Sequence, residues 1–141
     1  MNPLLRFIRF YYSASRLPEY LAPVLDLGLR LFLANVFFKS GLTKIKTWDS
    51  TLYLFSDVYQ VPLLDPEVAA LGLPVLLALG LFGRFAASGL FTLNAVAVIS
   101  YYSELSEAGL NQHLYWGLLL AVLMVASRGA WSVDTWLEKR L

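Results

Sequence analysis

Residues 68–103 read VAALGLPVLLALGLFGRFAASGLFTLNAVAVISYYS, thirty-six positions with a single charged side chain, Arg84. As one helix rising about 1.5 Å per residue, this stretch overshoots a hydrocarbon core of about 30 Å. It is therefore expected to fold back on itself, with Gly83-Arg84 as the turn between a second span over 68–82 and a third over 85–102. The second span is short, covering roughly 23 Å, and Pro74 inside it predicts a kink.

On the N-terminal side of this stretch, a first span is expected over 22–41, entered through Pro18 and Pro23 and interrupted by Asp26, Arg30 and Lys39. A polar connection over 43–67 follows, in which residues 48–60 have the pattern of a short helix capped by Asp49 or Ser50. A polar linker over 104–112 leads to a fourth span over 113–127. At the N-terminal end, Leu4, Leu5, Ile8, Tyr11 and Tyr12 recur at helical spacing, while Arg6, Arg9, Ser13 and Arg16 fall mostly elsewhere. That pattern reads as an amphipathic helix on the membrane surface, its arginines near anionic headgroups. The tail over 131–141 reads as a second short amphipathic helix, with Ser132 as N-cap, Asp134 in the first turn and Lys139-Arg140 at its basic end. The expected fold is all-α: an integral membrane four-helix bundle with short amphipathic N- and C-terminal helices, one membrane domain over 1–141.

Composition supports this reading. Hydrophobic residues make up 58% of the 141 and charged residues 15%, against about 45–50% and about 25% in soluble domains. The charges needed to coat the surface of a soluble body of this size are missing. Tyr20, Trp48, Tyr53, Tyr101, Tyr102, Tyr115, Trp116 and Trp131 cluster at the edges of the spans, as an interfacial belt does. The first seventeen residues lack the continuous apolar core and small-residue cleavage site of a signal peptide, so the first span is expected to stay as an anchor. With four spans, the N-terminus, the turn between the second and third, and the C-terminus share one side, carrying Arg6, Arg9, Arg16, Arg84, Arg128, Lys139 and Arg140. The other side holds Lys44 and Lys46, with Lys39 near the end of its span. The positive-inside bias then puts both termini in the cytoplasm of a bacterial inner membrane protein.

Several function classes are excluded. The net charge of +1, with no basic stripe beyond the N-terminal cluster, leaves no nucleic-acid partner. The absence of cysteine removes disulfides, thiolate nucleophiles and iron–sulfur ligation. His113 is the only histidine, which rules out bis-histidine haem ligation within one chain. No catalytic triad, zinc-binding HExxH, Gly-rich phosphate loop or metal-ligand cluster occurs, against a hydrolase or a nucleotide-dependent enzyme.

The candidate ligand-binding residues are Asp26, Arg30, Lys44, Asn94 and His113. At about 100° per residue, Asp26, Arg30, Phe37, Gly41 and Lys44 fall within a sector of roughly 80° on one face of the first span. A charge at bilayer depth costs at least about 2.5–3.5 kcal/mol, so Arg30 is expected to face the bundle interior or a wet cavity, with Asp26, four residues away, as first partner. This pair reads either as a functional site or as an ion pair that fixes helix packing. Lys39 and Lys46 are read as snorkelling to headgroups, while Lys44 shares the Arg30 face. Asn94 sits mid-span, where an amide bonds either a neighbouring helix or a ligand. His113 is read as an interfacial end-cap, or as a proton relay or ligand.

At this point the residues resemble a family. Arg30 followed by Phe38-Lys39-Ser40-Gly41-Leu42-Thr43-Lys44-Ile45 looks like the first-span signature of the DoxX family, and Leu79-Gly80-Leu81-Phe82-Gly83-Arg84-Phe85-Ala86-Ala87 like its turn between the second and third spans. His113-Leu114-Tyr115-Trp116 and Ser132-Val133-Asp134 are similar to the family's fourth-span start and tail. The chain departs from the pattern in the second span, which lacks the usual glutamate and is shorter by about two turns. The resemblance implies a small four-span membrane protein, in a family named from a subunit of a thiosulfate:quinone oxidoreductase, with some members linked to oxidative-stress complexes. The leading expectation is a redox- or stress-associated accessory subunit that contacts quinone or lipid through the Arg30 face. The alternatives are a non-enzymatic scaffold for partner subunits or copies of itself, and, ranked last, a small transporter using the Asp26–Arg30 pair.

Overall fold

A computed structural model describes residues 2–46, 49, 68–127 and 129–141, and all its regular structure is helical. In chain order the elements are α1 (Pro3–Ser15), a 3₁₀ turn (Leu17–Leu21), α2 (Ala22–Lys46), a π-helical turn (Val68–Gly72), α3 (Leu73–Leu79), α4 (Gly83–Ser100), α5 (Glu107–Ala126) and α6 (Val133–Glu138). The short helix expected over 48–60, the belt positions Trp48 and Tyr53, and Arg128 lie outside the described residues.

Local chemistry accounts for most of the boundaries. Asn2 accepts from the Leu4 amide at 3.1 Å and Pro3 opens α1, where a missing N–H costs nothing. Pro18 interrupts the helical run in the 3₁₀ turn, and Pro23 lies in the first turn of α2. At about 37 Å, α2 is long enough to span. The expected kink at Pro74 takes the form of a junction between the π-helical turn and α3. Proline has no N–H to give the carbonyl four residues earlier. That carbonyl belongs to Ala70, and its oxygen lies 2.7 Å from where a Cβ on Gly41 of α2 would stand. A glycine there lets the two backbones meet.

Several boundaries differ from the sequence reading, and α2 itself runs on to Lys46, past its expected end at 41 and into the stretch read as polar connection. The turn between the second and third spans is at residues 80–82, and Gly83 already belongs to α4. Gly80, at φ +68°, closes α3, with the Leu81 amide donating back to the Leu76 carbonyl at 3.0 Å. The last long helix begins at Glu107, six residues before the expected start, because Ser106 caps it by accepting from the Gly109 amide at 3.1 Å. Hydropathy locates where a helix enters oil; the cap locates where it begins. At the tail, Ser132 caps α6 as expected.

α2, α3, α4 and α5 form the bundle, with α4 against α5 as its most extensive contact. Its core is Leu33, Leu73, Leu77, Leu90, Leu120 and Leu123, with alanines 69, 70, 86 and 87, and small residues at contacts are what membrane helix packing uses. The outside is inverted relative to a soluble protein. Arg30 and Asn94 are 2% and 5% exposed, while Leu25, Phe32, Phe85, Leu118 and Val122 face outward. Helical segments Pro3–Thr43, Gly83–Ser100 and Glu107–Ala126 are long and apolar enough to cross a bilayer, with Ala69–Leu79 a shorter apolar helix beside them. The protein is an all-α membrane protein. Tyr20 and Trp131 are exposed toward one end of the bundle, Tyr101 and Tyr102 toward the other.

Candidate functional site

The alternating helices gather two polar clusters, one toward each end of the bundle. The first is built on Arg30. Its guanidinium donates through Nε to Asp26 Oδ2 at 3.0 Å, through Nη1 to the Ala78 carbonyl at 3.4 Å, and through Nη2 to the Trp131 carbonyl at 2.6 Å. The other carboxylate oxygen of Asp26 accepts from Ser127 Oγ at 2.6 Å. Arg30 thus ties α2 to the end of α3 and to the chain beyond α5. The i, i+4 pair that the sequence spacing predicts is present, and Arg30 does face the interior.

Next to it, Asp134 of α6 takes two of the free amides at the start of α4: Phe82 N–H to Oδ1 at 2.9 Å and Gly83 N–H to Oδ2 at 3.1 Å. A carboxylate at a helix N-terminus also meets the positive end of the helix dipole. Phe82, at φ +49°, holds a left-handed conformation that costs a non-glycine residue about 1–2 kcal/mol, offset by this cap. The Asp134 amide completes the arrangement by donating to the Gly80 carbonyl at 3.1 Å. Gly80 has no room for a side chain, because a Cβ would run into Arg30 and Ser132. An open cleft of about 730 Å³ runs between this turn and the tail, lined among others by Arg30, Arg84, Ser127 and Asp134.

The second cluster joins α4 to α5. Asn94 Nδ2 donates to the His113 carbonyl at 2.9 Å, and Asn94 Oδ1 lies 2.7 Å from His113 Nδ1. A carbonyl only accepts, so the amide nitrogen must face it and the amide oxygen must face the ring. Nδ1 of His113 therefore carries the proton in this bond. The ring stands edge-on to Trp116 with centroids 5.1 Å apart, and Trp116 in turn meets Phe37 at 6.1 Å. Together with Ser40, Leu90, Leu93 and Ala97 these residues line a pocket of about 250 Å³.

The five candidate residues thus divide. Asp26 and Arg30 sit in the first cluster, Asn94 and His113 in the second. The backbone of Lys44 continues α2, and its side chain lies outside the described residues. Ser127, Asp134 and the Trp131 carbonyl escaped the sequence reading as site members. Ser127 bonds a residue 101 positions away, and nothing local marks such a partner. Asp134 did carry a signal, since Ser132-Val133-Asp134 stands out as a motif, yet its carboxylate caps α4, while Ser132 caps its own helix.

Compared with known proteins, the chain matches the family model DoxX over residues 25–103, more than half its length. The match takes in Arg30, the turn around Gly80 and Asn94; His113 and the tail motif lie beyond it. No curated protein and no solved structure matches the chain.

Proposed function

Since this chain belongs to the DoxX family of membrane proteins, we propose that it acts as a redox-associated accessory subunit of a bacterial inner membrane, receiving a quinone-type ring in the pocket beside Asn94 and His113. The observation that carries this reading is the lining of that pocket: Phe37, Leu90, Leu93, Ala97 and Trp116 as apolar walls, with the Asn94–His113 pair and Ser40 as polar groups. Ligand sites are mostly apolar cavities with a few placed polar groups. At about 250 Å³ the pocket lies just below the usual range of about 300–1,000 Å³, which suits a single substituted ring. A bound quinone supplies two-electron redox capacity, and the chain's own residues bind and orient it. The Arg30 face, first in line from the sequence, is a weaker choice because all three guanidinium nitrogens already bond groups of this chain.

The test is titration of purified protein in detergent with a short-tailed quinone, followed by tryptophan quenching, for wild type, Ala97→Trp and Arg30→Lys. Saturable binding that Ala97→Trp removes, and that Arg30→Lys spares in whatever fraction folds, supports the reading. Absence of saturation in wild type, or indifference to Ala97→Trp, sinks it.

The scaffold reading is favoured by one observation, the engagement of all three Arg30 guanidinium nitrogens within the chain, which marks that cluster as architecture. Under it, partner subunits co-purify in mild detergent and quinone does not bind. In both readings the basic residues concentrated on the side of the termini support a cytoplasmic location for that side. Because the chain has no cysteine, single introduced thiols probed with an impermeant reagent report this directly.

A further inference from the structure

Among the described residues, helix α1 is a 13-residue element in which none is buried. Leu4, Phe7, Phe10, Tyr11 and Tyr12 are all more than half exposed, so the described residues leave their apolar surface uncovered. At about 100° per residue, Arg6, Arg9, Ser13 and Arg16 occupy one arc of roughly 80°, and the apolar side chains fill the rest. Ser15 falls on the apolar side, but its hydroxyl is spent on the Tyr12 carbonyl at 3.0 Å. The helix contains three cations if Arg16 at its C-cap is counted, and no acid; Glu19 in the following turn is the nearest carboxylate.

Length decides where this helix can lie. The 25 residues of α2 already exceed the hydrocarbon thickness of about 30 Å, so α1 lies outside the core, at or beyond the interface. The 3₁₀ turn with Pro18 separates it from α2 and interrupts the helical ladder where a change of direction is needed.

We infer that α1 is an in-plane anchor that docks on the anionic leaflet of the membrane holding the bundle, its apolar arc sunk among the acyl chains and its arginines at lipid phosphates. A strongly segregated, cationic helix with aromatic and leucine side chains opposite is the form that interfacial helices take. Among the described residues, the other charged groups exposed at this end are Arg84, Lys139 and Arg140, with Glu19 and Glu138 as exposed acids, so cations predominate around the helix. The inference does not depend on the quinone pocket, which lies toward the other end.

Tyr11 and Ser13 are two residues apart on opposite faces, which gives a direct measurement. Full-length Tyr11→Cys and Ser13→Cys proteins are reconstituted in vesicles of phosphatidylcholine alone or mixed with phosphatidylglycerol, and each thiol's rate of modification by a charged maleimide is recorded. In mixed vesicles the Tyr11→Cys thiol reacts at least about fivefold more slowly than Ser13→Cys. Adding Arg9→Gln lowers that protection about fivefold, the weight of one arginine at an anionic surface, and high salt does likewise. Equal rates for both thiols in mixed vesicles overturn the inference. So does protection that persists unchanged in pure phosphatidylcholine, or that tracks protein concentration in detergent, since a second copy or a protein partner would then cover the helix.

Discussion

Arg30 on the first long helix and Trp131 in the tail are joined across 101 positions of chain by a 2.6 Å hydrogen bond from guanidinium to backbone carbonyl. The bond closes one end of the bundle. It occupies a charge that bilayer depth makes expensive and brings the tail to where Asp134 caps α4.

Replacing Arg30 with alanine leaves the partly buried Asp26 with only Ser127 and strips the Ala78 and Trp131 carbonyls of their donor. Breaking a buried pair in this way costs about 3–5 kcal/mol. Arg30→Lys keeps the charge but loses the fork that reaches three acceptors, so it is expected to recover less than half of that loss. Denaturation of the purified protein in mixed micelles checks both, and an Arg30→Ala protein as stable as wild type contradicts the account.

Asp134→Ala frees the amides of Phe82 and Gly83 and leaves Phe82 in a left-handed conformation without compensation. The expected loss is about 1–2 kcal/mol, the size of an N-cap. Hydrogen exchange should show it locally, as faster exchange at the first turn of α4 with α5 unchanged.

Asn94→Leu removes the bonds between α4 and α5 while keeping side-chain volume. Interhelical bonds in membranes average about 0.6 kcal/mol, so the stability change is small. The larger effect is on His113, whose ring loses its Nδ1 partner. Under the quinone reading affinity therefore falls more than stability does, which parallel binding and unfolding measurements separate.

Two glycines of α2 give opposite outcomes. A Cβ on Gly41 would stand 2.7 Å from the Ala70 oxygen, whereas one on Gly28 meets nothing within 4 Å. Gly41→Ala is expected to destabilise by about 1–3 kcal/mol through overpacking. Gly28→Ala is expected to stabilise by about 0.5–1 kcal/mol, because alanine loses less backbone entropy in a helix. Melting temperatures of the two variants should move in opposite directions.

Much of this molecule was legible in one dimension. A run with a single charge, too long for one crossing and too apolar for water, dictates a fold-back in oil, and Arg30 at bilayer depth dictates an inward-facing partner at i−4. Ser132 announced its own helix because a cap is a local bond. Properties of this kind depend on neighbours within a turn or two, or on the sum of transfer energies along a segment, so the linear order of residues carries them.

Tertiary structure decided what those residues do together. Asp26, Arg30, Asn94 and His113 are four comparable candidates in the sequence, but folding assigns the first two to a closed latch and the other two to the edge of a pocket. Ser127 on Asp26, Asp134 on α4 and the Ala70 carbonyl against Gly41 are contacts between segments brought together by packing. The physical reason is range. Hydropathy and capping act over a few residues, whereas a hydrogen bond about 3 Å long depends on the relative position of whole helices.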